Sequence, residues 1–149
     1  MTTLEELNRY SSGDKLPGFT FARIGDGVRG KVTRASLVEV KTDRGPATKL
    51  VIELEVSAAK GGMVAKDGDF ITDVKDYQAG EKVAVWLPSG FGIGAMSEAV
   101  AAAGAKGIDI GAEVSVKLVE RRDTGKPKPA NVYECTYAPP TVALVADQF

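Results

Sequence analysis

Trp86, the single tryptophan of the chain, lies in residues 81–88 (EKVAVWLP). There Val83, Val85 and Leu87 alternate onto one side of an extended run, and Ala84 and Trp86 onto the other. An indole turned away from an apolar face is suited to stacking on flat rings such as bases, worth roughly 1–3 kcal/mol per base with little sequence preference. Packing beneath the segment 59–80, or in a subunit interface, is the structural alternative. Phe91, in the glycine-rich SGFGIG, is a second stacking candidate or else an anchor for the helix that follows. Tyr133 and Tyr137 share one face with Cys135; Tyr137 is assigned to the core, and Tyr133, nearer the preceding loop, is kept as a base contact. Tyr10 and Tyr77 are open candidates.

Stacking on a nucleic acid needs cations to follow the phosphates. The formal charge is −1, but it is unevenly spread. Residues 29–49 hold six basic side chains, Lys31, Lys41, Arg44 and Lys49 among them, against two acidic ones. Residues 117–128 hold five, Lys117, Arg121, Arg122, Lys126 and Lys128, against two. The intervening stretch 50–80 has six acids against three bases. A near-neutral total therefore leaves room for a local cationic groove.

Other chemistries are thinly supplied. With no histidine, Ser-His-Asp and Cys-His dyads, histidine general bases and histidine-ligated metals are excluded. The one cysteine, Cys135, makes neither an internal disulfide nor a thiolate zinc cage. Gly90-Phe91-Gly92-Ile93-Gly94 lacks the Gly-Lys-Ser/Thr of a phosphate loop and reads as a turn. Asp67-Gly68-Asp69 lacks the spacing and closing Glu of a calcium loop. The expectation is a non-catalytic protein without cofactor or metal.

The elements must hold these side chains. A length of 149 residues with 44% apolar and 26% charged residues fits one folded domain rather than a disordered chain. The amino-terminal MTTLEELNRY is no secretory signal, and no apolar run approaches the ~20 residues of a membrane helix, so a cytoplasmic protein without a membrane partner is expected. Residues 1–18 read as an arm beginning in a short amphipathic helix, 19–140 as the domain and 141–149 as a tail. Strands are expected at VRGKVTRASLVEVKT, with a bulge at Gly30 and a slip of phase before Val38, and at TKLVIELEV, with Leu50, Ile52, Leu54 and Val56 on one face. Residues 59–80 read as mostly loop, with one short strand at Phe70, Ile71 and Val74. A strand follows around Trp86. Next come a helix with Met96, Val100 and Ala103 at helical spacing, stopped at Gly104, and strands at 112–121 and 131–138.

Three strands, a helix and two more strands is the order of the OB-fold, an all-β, five-stranded Greek-key barrel. Its second and third strands and its first and last hairpin loops bind oligonucleotides or oligosaccharides. The two basic stretches fall on those two hairpins.

Four segments carry a resemblance. They are Ile24-Gly25-Asp26-Gly27-Val28-Arg29-Gly30-Lys31-Val32, and Leu50-Val51-Ile52-Glu53-Leu54. The third runs from Met96-Ser97-Glu98-Ala99-Val100 through Gly104 into Ile110-Gly111-Ala112-Glu113-Val114. The last is Lys126-Pro127-Lys128-Pro129-Ala130-Asn131-Val132-Tyr133-Glu134-Cys135-Thr136-Tyr137-Ala138-Pro139-Pro140. In this order the chain resembles the single-stranded-DNA-binding proteins encoded by tailed bacteriophages of actinobacteria. The resemblance covers about residues 19–140 and implies an OB-fold that coats single-stranded DNA in phage replication, recombination or repair, in the host cytoplasm. Implied partners are single-stranded DNA, further copies of the chain, and replication or recombination proteins. The other function carried forward is a phage structural or adaptor protein using a small β-barrel to bind proteins.

Overall fold

Leu50, Ile52, Leu54 and Val56 are all buried on one side of β2 (Gly45–Lys60), and the main sheet is built around this strand. The computed structural model describes residues 16–43, 45–125 and 129–140. β1 (Gly27–Thr42) runs antiparallel along the whole of β2, and β5 (Lys82–Pro88) pairs with the other edge of β2. β6 (Glu113–Arg122) pairs with the first part of β1, and β7 (Ala130–Ala138) with β6. The sheet order is thus β5-β2-β1-β6-β7, all antiparallel, and among the described residues no ladder joins β5 to β7. The single described helix, α1 (Phe91–Ala102), connects β5 to β6 and packs chiefly on β7. It is too short to cross a membrane, and no other described element is such a helix. The helix expected in the arm, and the tail 141–149, lie outside the described residues.

Of the two register shifts between β1 and β2, the second explains the changing phase of β1. Its register slips between Arg29 and Gly30 and again between Val32 and Arg34. Val28, Gly30 and Val32 face inward; beyond the second bulge the phase reverses, so Ala35 and Leu37 take the inner side and Arg34, Ser36 and Val38 the outer one. At Gly30 the strands approach so closely that a Cβ would run into the Glu55 carbonyl, which leaves room for glycine alone. On the inner side Ile52, Leu54, Leu87, Met96 and Leu118 are fully buried. Met96 and Val100 are the buried large side chains of α1, and Gly104, at φ 75°, follows its end.

Residues 59–80 correct the sequence expectation. They hold a second two-stranded sheet, β3 (Gly62–Asp67) paired with β4 (Phe70–Asp76). Lys60, Lys66 and Asp67 are strand residues, and only Gly68 and Asp69 turn the hairpin. Most of its side chains are exposed on both faces, so it has no apolar alternation to read. The backbone ladder defines it, with the half-buried Val64 and Val74 opposite each other.

The lead-in to β1 seals one end of the core. Ala84 N–H donates to Pro17 O and Phe19 N–H to Ala84 O, each at 2.9 Å, so residues 17–19 lie along the outer edge of β5. Phe19 packs 4.8 Å from Phe21 and 6.0 Å from Tyr77, and Phe21 meets Tyr133 edge-on at 5.1 Å. Asp26 is fully buried; its carboxylate accepts from the N–H groups of Ala22 and Arg23, both at 3.1 Å, and from Arg23 Nε at 3.3 Å.

Candidate nucleic-acid interface

Alternation along β5 puts Trp86 on the outer face of the main sheet, where 42% of it is exposed. The β3–β4 hairpin does not bury it. Its cross-strand partner on β2 is Val51, whose partner on β1 is Ser36, so the indole stands at the end of a row of small side chains. The next row toward the ribbon tip is Pro88, Lys49 and Val38. Lys49 is thus the diagonal neighbour of Trp86, at the ~7–8 Å separation of such pairs. Among the described residues Lys49 forms no ion pair, as is also true of Lys31, Lys41 and Lys117. The row on the other side of Trp86 is Ala84, Glu53 and Arg34, with Arg34 Nε 3.7 Å from Glu53 Oε2.

A second pairing was not visible in the sequence. Phe91 is the first residue of α1 rather than part of a turn, and follows Gly90, whose φ of 82° reverses the chain after β5. Its ring is 39% exposed, with the Arg122 guanidinium carbon 5.2 Å from its centroid. Arg122, the last residue of β6, also donates from Nε to Glu120 Oε2 at 2.9 Å. That hydrogen bond and charge raise the guanidinium pKa above its ordinary value, so the arginine stays cationic. The end of the β6–β7 hairpin is thereby brought to the turn that follows the Trp86 strand.

The remaining candidates are scattered. Lys31 is two rows from Trp86, beside Glu55 and Lys82, roughly 13 Å away along the strand direction. Lys41 alternates onto the opposite side of the β1–β2 ribbon, with Leu37 and Glu39. Lys117 is exposed on β6 opposite Glu134 of β7. Arg121 is directed at backbone: its Nη2 donates to Ala22 O at 3.0 Å and to Phe21 O at 3.4 Å. Tyr133 is buried, with its ring against Phe21 and its hydroxyl 3.3 Å from Asn131 Nδ2, so its face is not open to a base. Tyr77 is buried also, and burial followed by the charge of Glu81 raises its phenol pKa. Arg44, Lys126, Lys128 and Tyr10 lie outside the described residues.

Lys82 was missed as a candidate. It is exposed on the same face of β5 as Trp86, and its place two alternation steps before the indole was the signal. Cys135, in mid-strand on β7, has its thiol pushed up to about 12 by burial and then by Glu134, which makes it a poor nucleophile at neutral pH. What the outer face offers is a flat aromatic beside cations, able to hold an anionic polymer with ring substituents.

Comparison of the chain with protein-family models, with curated proteins and with solved structures finds no match.

Proposed function

We propose that the chain is a non-catalytic OB-fold protein that binds single-stranded DNA across the outer face of β2 and β5, protecting it during phage replication, recombination or repair. The exposed indole of Trp86 on that face, with Lys49 beside it, carries the reading. A large aromatic on the solvent side of a sheet adds nothing to the core and is the platform that sequence-tolerant base stacking needs. The Phe91–Arg122 pair supplies a second ring and a cation near the end of the same strand.

The strand order supports the OB-fold. Without the β3–β4 insertion, the main strands in chain order are β1, β2, β5, β6 and β7, with α1 between the third and fourth. In that fold the second and third strands and the two hairpins at either end of the chain form the binding surface, and these are β2, β5 and the ends of β1–β2 and β6–β7.

A titration of the full chain with oligo(dT), read by Trp86 emission at two salt concentrations, tests the proposal. Binding quenches the indole and weakens as salt rises. Emission that oligonucleotide leaves unchanged at low salt overturns it. The protein-binding alternative is favoured by one observation: Phe70 and Ile71 stand exposed near the tip of the β3–β4 hairpin. It predicts a defined assembly with no salt-sensitive nucleic-acid binding.

A further inference from the structure

Gly27 lies between two lysines. It opens β1, and its cross-strand partners are Lys60 at the end of β2 and Lys117 on β6. Neighbouring strands are about 4.8 Å apart, so the two lysine Cα atoms stand about 10 Å apart across a position with no side chain. That position is closed to one: a Cβ on Gly27 would lie 2.9 Å from the Val116 carbonyl oxygen and 3.2 Å from Lys117 Cα. The next outward residue of β1 is Arg29, about 7 Å along the strand. The result is an open basin of about 530 Å³ on the outer face, floored by Gly25, Gly27 and Ala58 and rimmed by Arg29, Lys60 and Lys117.

The cations around it are weakly engaged. Among the described residues Lys60 and Lys117 form no ion pair, and Arg29 reaches Glu113 only at 3.9 Å, with both side chains more than half exposed. The Lys60 ammonium is drawn over the floor, 3.5 Å from where a Cβ on Gly25 would be. Glu134, opposite Lys117 on β7, is the one acid in the lining among the described residues. In the row of Arg29, Ser115 and Thr136 share a hydrogen bond at 2.5 Å in which either hydroxyl is the donor. One hydroxyl proton lies between the two oxygens, and the other is left to donate elsewhere.

Three cations and a spare hydroxyl proton around a floor without long side chains suit a compact anion with several acceptor oxygens. A phosphoryl group has both the charge and the spread of oxygens; arginine meets two of them with its planar fork, and lysine acts as a point charge. The basin is remote from the indole. Ala58 follows Val51, the partner of Trp86, by seven residues of β2, roughly 23 Å of strand.

We propose that the basin around Gly27 binds a phosphoryl group, held by Lys60, Lys117 and Arg29 and by the free proton of the Ser115–Thr136 pair. Glu134 opposes the binding. The phosphoryl group belongs either to a nucleic-acid backbone or to a free phosphate, and the site stands whether or not a base stacks on Trp86.

Inorganic phosphate titrated into the ¹⁵N-labelled full chain, with chloride exchanged for it at constant ionic strength, tests the proposal. The amides of Gly27 and Ser115 shift and saturate, while those of the core residues Ile52 and Leu54 stay in place and show that the fold is intact. Lys60→Ala and Lys117→Ala each weaken the binding by about two- to fivefold, the range for exposed charge pairs, and Glu134→Gln strengthens it. All three side chains are exposed. Oligo(dT) that moves the same amides and competes with phosphate identifies a nucleic-acid backbone as the source. Oligo(dT) that leaves them in place, where phosphate moves them, identifies a free phosphate. Amides that phosphate moves no further than chloride does, or that saturate alike in the parent and both lysine variants, overturn the proposal. Because phosphate is tested alone, Trp86 emission that oligo(dT) leaves unquenched has no bearing on this result.

Discussion

Arg122 stands over the Phe91 ring, with its guanidinium carbon 5.2 Å from the ring centroid, and so joins the end of β6 to the start of α1. The two residues are 31 positions apart in sequence. The contact sets one of the two terminal hairpins beside the turn after the Trp86 strand. If that junction tracks phosphate, Arg122→Ala lowers oligo(dT) affinity and reduces the slope of log affinity against log salt by about 0.7, the value for one single-strand phosphate. Its ion pair with Glu120 is exposed, so folding stability changes little. Denaturant unfolding beside the salt series separates the two effects. An unchanged slope with lowered stability assigns Arg122 to anchoring the helix.

Trp86→Ala removes the proposed platform. It weakens oligo(dT) binding by about 1–3 kcal/mol, the value of one stacked base. Trp86→Phe keeps a ring and recovers much of the loss. Because the indole is substantially exposed, the melting temperature of either variant stays close to that of the parent. The measurement is a fluorescence-anisotropy titration with labelled oligonucleotide, since these variants lose the intrinsic reporter. Equal affinities for the parent and the alanine variant remove Trp86 from the site.

Strict alternation made much of the sheet legible: Val83, Val85 and Leu87, and Val114, Val116 and Leu118, are all buried as their spacing requires. The phase of β1 was legible only in part. A glycine marks its first bulge, but nothing in Val32-Thr33-Arg34 marks the second, which moves Lys41 to the face opposite Lys49. The β3–β4 hairpin was hidden because a strand exposed on both sides has no period. Tyr133 and Arg121 could not be placed from sequence, since their partners Phe21 and Ala22 lie about a hundred residues earlier. The outward placement of Trp86 was legible, because one strand sets the side chain. The placement of Phe91 was not, since its neighbour comes from another element.

Cys135 predicts an alkaline limb in stability. Its thiol pKa is raised in the fold to about 12 from an ordinary 9.0, so the folded chain holds the proton where the unfolded chain releases it. The stabilisation is therefore complete below about pH 9 and is lost as the pH rises from 9.0 toward about 12. Denaturant midpoints measured across that window fall more steeply for the parent than for Cys135→Ala. At pH 8 a thiol reagent reacts slowly with the folded protein and quickly once it is unfolded. Parallel alkaline limbs for parent and variant exclude the thiol as the cause.

Leu54 tests the central strand. It is fully buried on β2, so Leu54→Ala loses both transfer energy and packing, a destabilisation of about 2–5 kcal/mol. Val51 is on the opposite face of the same strand, directly across from Trp86. Val51, too, is buried, but Val51→Ala removes fewer carbon atoms and costs less, about 0.5–1.5 kcal/mol. Urea unfolding monitored by circular dichroism ranks the two, and the reverse ranking would place the core on the outer face.

Asp26 ties the lead-in of the chain to the core. Its fully buried carboxylate accepts from two backbone N–H groups and from Arg23, and Gly61 approaches so closely that a Cβ there would lie 2.6 Å from the carboxyl carbon. Asp26→Ala leaves both N–H donors of the turn without their acceptor, each costing about 1–3 kcal/mol where water does not replace it. Asp26→Asn keeps one acceptor oxygen and the shape of the site, so it loses less. Because Asp26 O accepts from Leu118 N–H and Leu118 O from Gly25 N–H, at 2.9 and 2.8 Å, loosening this turn also frees the lead-in from β6. Amide exchange in the alanine variant therefore accelerates at Gly25 and Leu118 before it does at Leu54. Uniform acceleration along the chain would instead show that the turn opens only when the whole domain unfolds.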